Sequence, residues 1–179
     1  MLYTKKIMFV LISAIFATFA SCNGEDPISN SVKTSGSLSV SVTTSSYSGE
    51  YAPSHVAAIW IESSNGTFVK TLMAKAAQRK MYLTNWLKAS SNGNTIDAST
   101  GATLNSHGVL TCSWNGSDIN GNIVGDGSYN VCVEFTENNG TGKYATFAFT
   151  KATTADNQTP TAKSNISGVN IKWTPTPTK

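Results

Sequence analysis

Histidine, cysteine and charge are all scarce in this chain of 179 residues, which has two histidines, three cysteines and a charged fraction of 13%. With only His55 and His107, and no Cys-x-x-Cys spacing, nothing in the sequence nominates a metal site. Hydrolytic signatures are missing too: there is no Gly-x-Ser-x-Gly and no carboxylate pair whose spacing points to one site, and serines are too numerous to single out a nucleophile. Long apolar runs are limited to residues 7–20, a stretch too short to span a membrane. Lys5 and Lys6 precede it and small residues follow at Ala20 and Ser21, the pattern of an export signal over residues 1–21. Removing that leader takes the basic residues from 13 to 11 against 10 acidic ones, so nucleic acid is not an expected partner. What remains is rich in Ser, Thr, Asn and Gly, is long enough for one domain with a real core, and has the composition of an exported β-protein.

The segment "FASCNGED" resembles the cleavage box of bacterial lipoproteins, with Phe19 departing from the usual small aliphatic residue. The resemblance implies that Cys22 becomes the lipidated first residue of the mature protein. Several acyl chains on one cysteine would hold it on a membrane, since each buried methylene adds about 0.8 kcal/mol. The polar, small-residue run over residues 22–36 has the composition of a flexible tether. Acidic residues directly after the lipid cysteine, here Glu25 and Asp26, resemble surface-export signals of some lipoproteins and equally suit a solvated linker. The expected address is the cell envelope, either the periplasm or the outer-membrane surface.

The folded domain is expected over residues 37–175. Residues 37–43 alternate strictly, with Leu38, Val40 and Val42 on one face, which is the period of a half-buried strand. "HVAAIWIE" and "FVKTLMAK" flank Asn65-Gly66, a strong hairpin signal. Residues 74–89, "AKAAQRKMYLTNWLKA", carry good helix formers with Met81 or Tyr82 and Asn85 or Trp86 at helical spacing; they predict the one helix, with Tyr82 and Trp86 as core anchors. Further strands are expected at residues 108–114, 128–137, 143–151 and 164–173. Six or seven short strands with frequent turn signals predict an all-β, two-sheet sandwich with one short helix between strands.

The stretch "LTCSWNGSDINGNIVGDGSYNVCVEF" resembles the immunoglobulin-like domain of the flagellar hook-capping protein. There, a Trp-Asp-Gly strand end and a Gly-x-Tyr strand start form a long hairpin; Asn115 stands here in place of the aspartate. Parity aims Cys112 inward and Cys132 outward, so a disulfide between them needs a bulge or a shifted register, although an oxidising compartment favours one. Asp118-Ile-Asn120-Gly-Asn122 begins like a calcium loop but lacks the sixth-place glycine and the twelfth-place glutamate, where Ile123 and Tyr129 stand. Turn chemistry is the better explanation.

"DASTGATLNSHG" has no apolar run to bury and no cluster of reactive side chains. It resembles the flavin-attachment motif of the flavoprotein subunits of sodium-translocating quinone reductases. That resemblance implies covalent FMN in phosphoester linkage to Thr103, with Asp97, Thr100, Gly101 and Ala102 completing the motif, and a flavin transferase as modifying partner. The residue types suit this chemistry. Small side chains clear a path to one hydroxyl, Gly101 relaxes the backbone, the base must come from the modifying enzyme, and Asp97 is expected to orient the loop by accepting from nearby amides. Over the whole folded part, residues 38–173, through "VAAIWIESSNGTFVKTL", "DASTGAT", "SWNGSDINGN" and "SYNVCVEF", the chain is similar to the predicted periplasmic domain-of-unknown-function family 2271. Some members of that family travel with flavin-transfer and membrane electron-transfer components. The expectation is a lipid-anchored FMN electron carrier with a membrane redox partner, more a carrier than an enzyme. The alternative from another class is a cofactor-free structural or adhesive module binding through the sandwich loops.

Overall fold

The structure, a computed structural model, describes residues 31–177. The expected signal segment 1–21, the lipid acceptor Cys22 and residues 23–30 of the tether lie outside the described residues. In chain order the elements are β1 (Gly36–Thr44), β2 (Val56–Ser63), β3 (Phe68–Lys75), a 3-10 turn (Lys80–Tyr82), α1 (Thr84–Ala89), β4 (Ser99–Gly101), β5 (Val109–Trp114), β6 (Gly127–Thr136), β7 (Lys143–Lys151), β8 (Asp156–Gln158) and β9 (Ile166–Pro175). They form a four-stranded sheet ordered β5-β1-β9-β8 and a five-stranded sheet ordered β4-β3-β2-β6-β7. The fold is an all-β sandwich.

Alternation puts Leu38, Val40 and Val42 of β1 into the space between the sheets, where they meet Ile59 and Ile61 of β2 and Val131, Val133 and Phe135 of β6. Burying such side chains stabilises a fold by roughly 1.5–3 kcal/mol each. β2 is buried on both faces. Its other face, with Val56, Ala58 and Trp60, belongs to a second apolar cluster closed by Leu83 and Trp86. The chain between β3 and β4 therefore acts as a lid on the outside of the larger sheet, which is why "HVAAIWIE" is almost continuously apolar instead of alternating.

That lid differs from the expected helix over residues 74–89. Ala74 and Lys75 complete β3, because they pair with Ala58 and Ala57 of β2; sheet pairing on two sides overrides the helix preference of the alanines. The α-helix keeps only Thr84–Ala89. Its anchors are Leu83 and Trp86, both fully buried. Tyr82, expected in the core, is half-buried, with the guanidinium of Arg79 lying 5.6 Å from its ring centre. Glu134 of β6 fixes where α1 begins: its carboxylate accepts hydrogen bonds from the backbone amides of Asn85 (3.1 Å) and Trp86 (2.8 Å) and from the Asn85 side chain (2.8 Å). A carboxylate at that end satisfies amides that have no partner within the helix.

The expected long hairpin between the strands carrying Cys112 and Cys132 is not formed. β5 pairs with β1 and β6 pairs with β2 and β7, so residues 115–126 cross from one sheet to the other. Both thiols are free. Cys112 packs against the inner core, while Cys132 faces outward beside Trp60. Within the crossing, Asn115 accepts from the amide and hydroxyl of Ser117, and Asp118 accepts from the amides of Asn120 and Asn122, both at 2.9 Å. These are turn contacts of the kind expected. The end of the expected tether is held to the sandwich: Thr34 donates to Asp126 through its amide (2.9 Å) and its hydroxyl (2.5 Å), and Asp126 also receives the buried ammonium of Lys151 (2.7 Å).

Candidate functional site

Residues 94–108 form a strap along the edge of the larger sheet, and each part of it is pinned from a different element. Thr71 of β3 donates to the Asn94 carbonyl (2.6 Å) and accepts from the Trp86 indole (2.9 Å), which ties the start of the strap to both β3 and α1. A turn follows, with the Asn94 side chain accepting from Ile96 and the Thr95 carbonyl accepting from Ala98. Asp97 sits at this turn with φ of 55°, in the left-handed region that aspartate enters more readily than most residues.

The strap then becomes β4. Ser99, Thr100 and Gly101 lie parallel to β3, opposite Met73, Ala74 and Lys75. The sequence pattern predicts a loop here. Its three-residue length and its lack of β-rich side chains conceal a strand that exists because the edge of β3 is open beside it. Two further contacts fix its far end: the Lys75 ammonium donates to the Thr100 carbonyl (3.2 Å) and the Ala77 amide to the Gly101 carbonyl (3.2 Å). Lys75 lies so close over Gly101 that a β-carbon there would come within 3.0 Å of the ammonium nitrogen. Glycine at this position lets the lysine lie against the backbone.

Thr103 comes next, half-buried, in an open depression of 340 Å³ shared with Ala77, Gln78, Ala102 and Asn105. Immediately after it, Leu104 exchanges two backbone hydrogen bonds with His55 (2.8 and 2.9 Å). The candidate hydroxyl thus stands between a short strand and an isolated bridge. Thr100, Gly101 and Ala102 line a neighbouring cleft of 360 Å³ floored by the lid.

The motif residues are not all gathered at one point. Asp97 does not orient the loop by accepting from its amides; its carboxylate pairs with the Lys70 ammonium at 3.3 Å. Lys70 is nearly buried and has few other partners, Ser117 and the Asp118 carbonyl at 3.5 Å each, so the aspartate compensates its charge. Asp97 lines a separate depression with Leu72 and Trp114. It secures the entrance to β4, whereas Thr100 to Thr103 face the lid.

Beyond Thr103 the strap ends in a cluster that no sequence pattern announces. His55 and His107, the chain's two histidines, stack with ring centres 4.0 Å apart and planes within 2°. His107 places one ring nitrogen 3.0 Å from the Thr44 hydroxyl and the other 2.6 Å from the Glu137 carboxylate. Burial opposes ionisation of Glu137, yet the amide of Gly49, the hydroxyl of Ser46, the His107 ring and the amide of Tyr47 outweigh it and hold the pKa down at about 2. Burial also lowers the His55 pKa, against the effect of the Pro53 carbonyl. With both His107 nitrogens engaged, the cluster is a clamp on the strap. No group among the described residues is arranged to hold a metal ion. The histidines are 52 positions apart by their numbers, and no local spacing could have joined them; the Leu104–His55 bridge and the Phe135 ring, against which both pack, bring them together.

The sequence profile of the family described as "Predicted periplasmic protein (DUF2271)" matches residues 37–167, most of the chain. The chain belongs to this family. No curated protein and no solved structure matches it. The matched span of this DUF2271 protein runs from β1 into β9 and contains the whole strap, both depressions and the histidine clamp.

Proposed function

We propose that this protein is an extracytoplasmic electron carrier, lipid-anchored through Cys22, with FMN esterified to Thr103. The observation that carries the reading is the way the strap holds Thr103: half-exposed in an open depression, preceded by the small residues Gly101 and Ala102, and fixed on both sides by β4 and by the Leu104–His55 bridge. A modifying enzyme can reach such a hydroxyl without unfolding the sandwich.

The surroundings fit a phosphorylated flavin in charge and in space. Lys75 lies over Gly101 in a cradle that a β-carbon would crowd, and Lys80 stands on the wall of the adjoining cleft. Neither lysine forms an ion pair among the described residues, whose bridges are Lys70–Asp97, His107–Glu137 and Lys151–Asp126. Lys75, which also donates to the Thr100 carbonyl, and Lys80 bring positive charge to the surroundings of β4, which favours an anion nearby. Asp97, the nearest carboxylate in sequence, is neutralised by Lys70 at the opposite end of β4.

Attachment requires the Thr103 oxygen to attack the flavin-side phosphorus of a flavin dinucleotide. The new bond is Thr103 Oγ1–P, the bond that breaks is the phosphoanhydride, and adenosine monophosphate leaves. The hydroxyl proton passes to a base of the flavin transferase, and no electrons move. Once bound, FMN supplies electron exchange; this chain binds it, orients it and keeps it at the envelope, where a membrane redox partner would load it.

Co-expression with a flavin transferase tests the reading by intact mass and in-gel flavin fluorescence. The wild-type chain is expected to gain one FMN and Thr103→Ala none. An unmodified wild-type chain under those conditions, or label that survives Thr103→Ala, contradicts it.

A further inference from the structure

We propose that the isoalloxazine ring of the attached flavin lies in the cleft between β4 and the lid, against Ala77 and Ala102, with Lys80 as the cation that sets its reduction potential. The proposal rests on attachment at Thr103 and adds to it where the ring goes and which residue tunes it.

The cleft adjoins the depression that holds Thr103, since Ala77 and Ala102 belong to the walls of both. A ribityl arm leaving Thr103 has only that shared wall to cross. The volume, 360 Å³, falls within the range of about 300–1,000 Å³ typical of small-molecule sites. Ala74 at the end of β3 and Ala76 just after it, both 5% exposed, form its inner wall, and the exposed Ala77 and Ala102 lie above them. Small side chains at these positions leave room for a planar ring.

Trp86 is fixed rather than mobile. Its indole nitrogen donates to Thr71 at 2.9 Å. Gly93 closes over it with φ of 88°, and a β-carbon there would sit 3.1 Å from the indole ring. Gly93 thus lets the chain after α1 pack directly on the indole, which is 1% exposed and stiffens the inner wall of the cleft. The remaining polar lining comes from Thr95 and Thr100, which have no charge to desolvate.

Lys80 is the one charged residue among those lining the cleft, and it forms no ion pair among the described residues. A flavin that takes up two electrons and one proton gains a negative charge. An ammonium beside the ring stabilises that form over the oxidised one and makes reduction easier.

The test uses the full chain, flavinylated by co-expression and checked by intact mass, as wild type, Thr95→Phe and Lys80→Gln. Thr95 lines the ring cleft and not the depression of Thr103, so Thr95→Phe fills the one without blocking the other. Iodide is expected to quench wild-type flavin emission several-fold less efficiently than that of free FMN, and Thr95→Phe should restore most of the difference. Lys80→Gln should move the midpoint potential to a more negative value without raising iodide quenching, since the ring stays covered and a charge that attracts iodide is gone. A flavinylated wild type quenched as readily as free FMN, or a Lys80→Gln potential equal to wild type, overturns the placement while leaving attachment intact. A wild-type chain that carries no flavin overturns both.

Discussion

Glu137 ties the end of the strap to two other segments of the chain. Its buried carboxylate accepts from the amides of Tyr47 and Gly49, both at 3.0 Å, and contacts His107 at 2.6 Å. It joins the loop after β1, the end of β6 and the residues after Thr103. Its folded pKa, about 2, lies below the ordinary carboxylate value. As pH falls, the unfolded chain is therefore protonated first; the contribution is complete above the ordinary value and is lost as pH approaches about 2. His55, with a lowered pKa, acts in the same direction from the ordinary histidine value of about 6.5 downward, because the unfolded chain takes the proton more readily. Urea unfolding followed against pH should show stability declining from neutrality into acid. Glu137→Gln should cost about 2 kcal/mol at neutral pH, from lost charge-assisted bonds in a buried site, and should flatten the decline below pH ~4. A variant as stable as wild type with an unchanged acid limb would contradict this role.

At the scale of elements, the sequence was most readable where one period dominates. The alternation of β1, the Asn65-Gly66 turn between β2 and β3, and the span of β7 all stand where the pattern places them. Legibility failed where an element depends on a distant partner. Ala74 to Ala77 reads as helix because nothing local announces that Ala58 and Thr100 flank Ala74 in the sheet. β4 has no periodic signal at all, and its existence follows from the free edge of β3. The start of α1 is set by Glu134, about 50 residues away on β6. Within the candidate site, the division of Asp97 and Thr103 between two ends of β4 was not legible. Since α1 has only six residues, it should depend heavily on that carboxylate. Glu134→Ala should speed amide exchange at Asn85 and Trp86 by at least tenfold, equivalent to about 1.4 kcal/mol, while β2 amides keep their protection. Equal exchange in variant and wild type would assign the cap to something else.

At the scale of the whole domain, the described residues form a sandwich with one reinforced face. The space between the sheets supplies its main core; the lid adds a second apolar layer outside the larger sheet, and the strap passes along its rim. The connection between β5 and β6 places the thiols of Cys112 and Cys132 on different sheets, one inward and one outward, so the fold owes nothing to a bond between them. Thiol labelling after unfolding in non-reducing buffer should find both free, and the thermal midpoint should not respond to reductant; a mass two hydrogens short of the dithiol form would contradict the topology. Apolar surroundings raise both thiol pKa values, that of Cys112 to about 12, which keeps them unreactive in the folded protein. In the proposed reading, Thr103 is the point where this protein accepts its redox group. Peptide mapping of the protein recovered from its own cell envelope, with the host's flavin transferase active, is the decisive measurement. The peptide containing Thr103 should be heavier by one FMN phosphoester, with the mass fragmenting onto that residue; the same peptide recovered bare would contradict covalent flavin at this site.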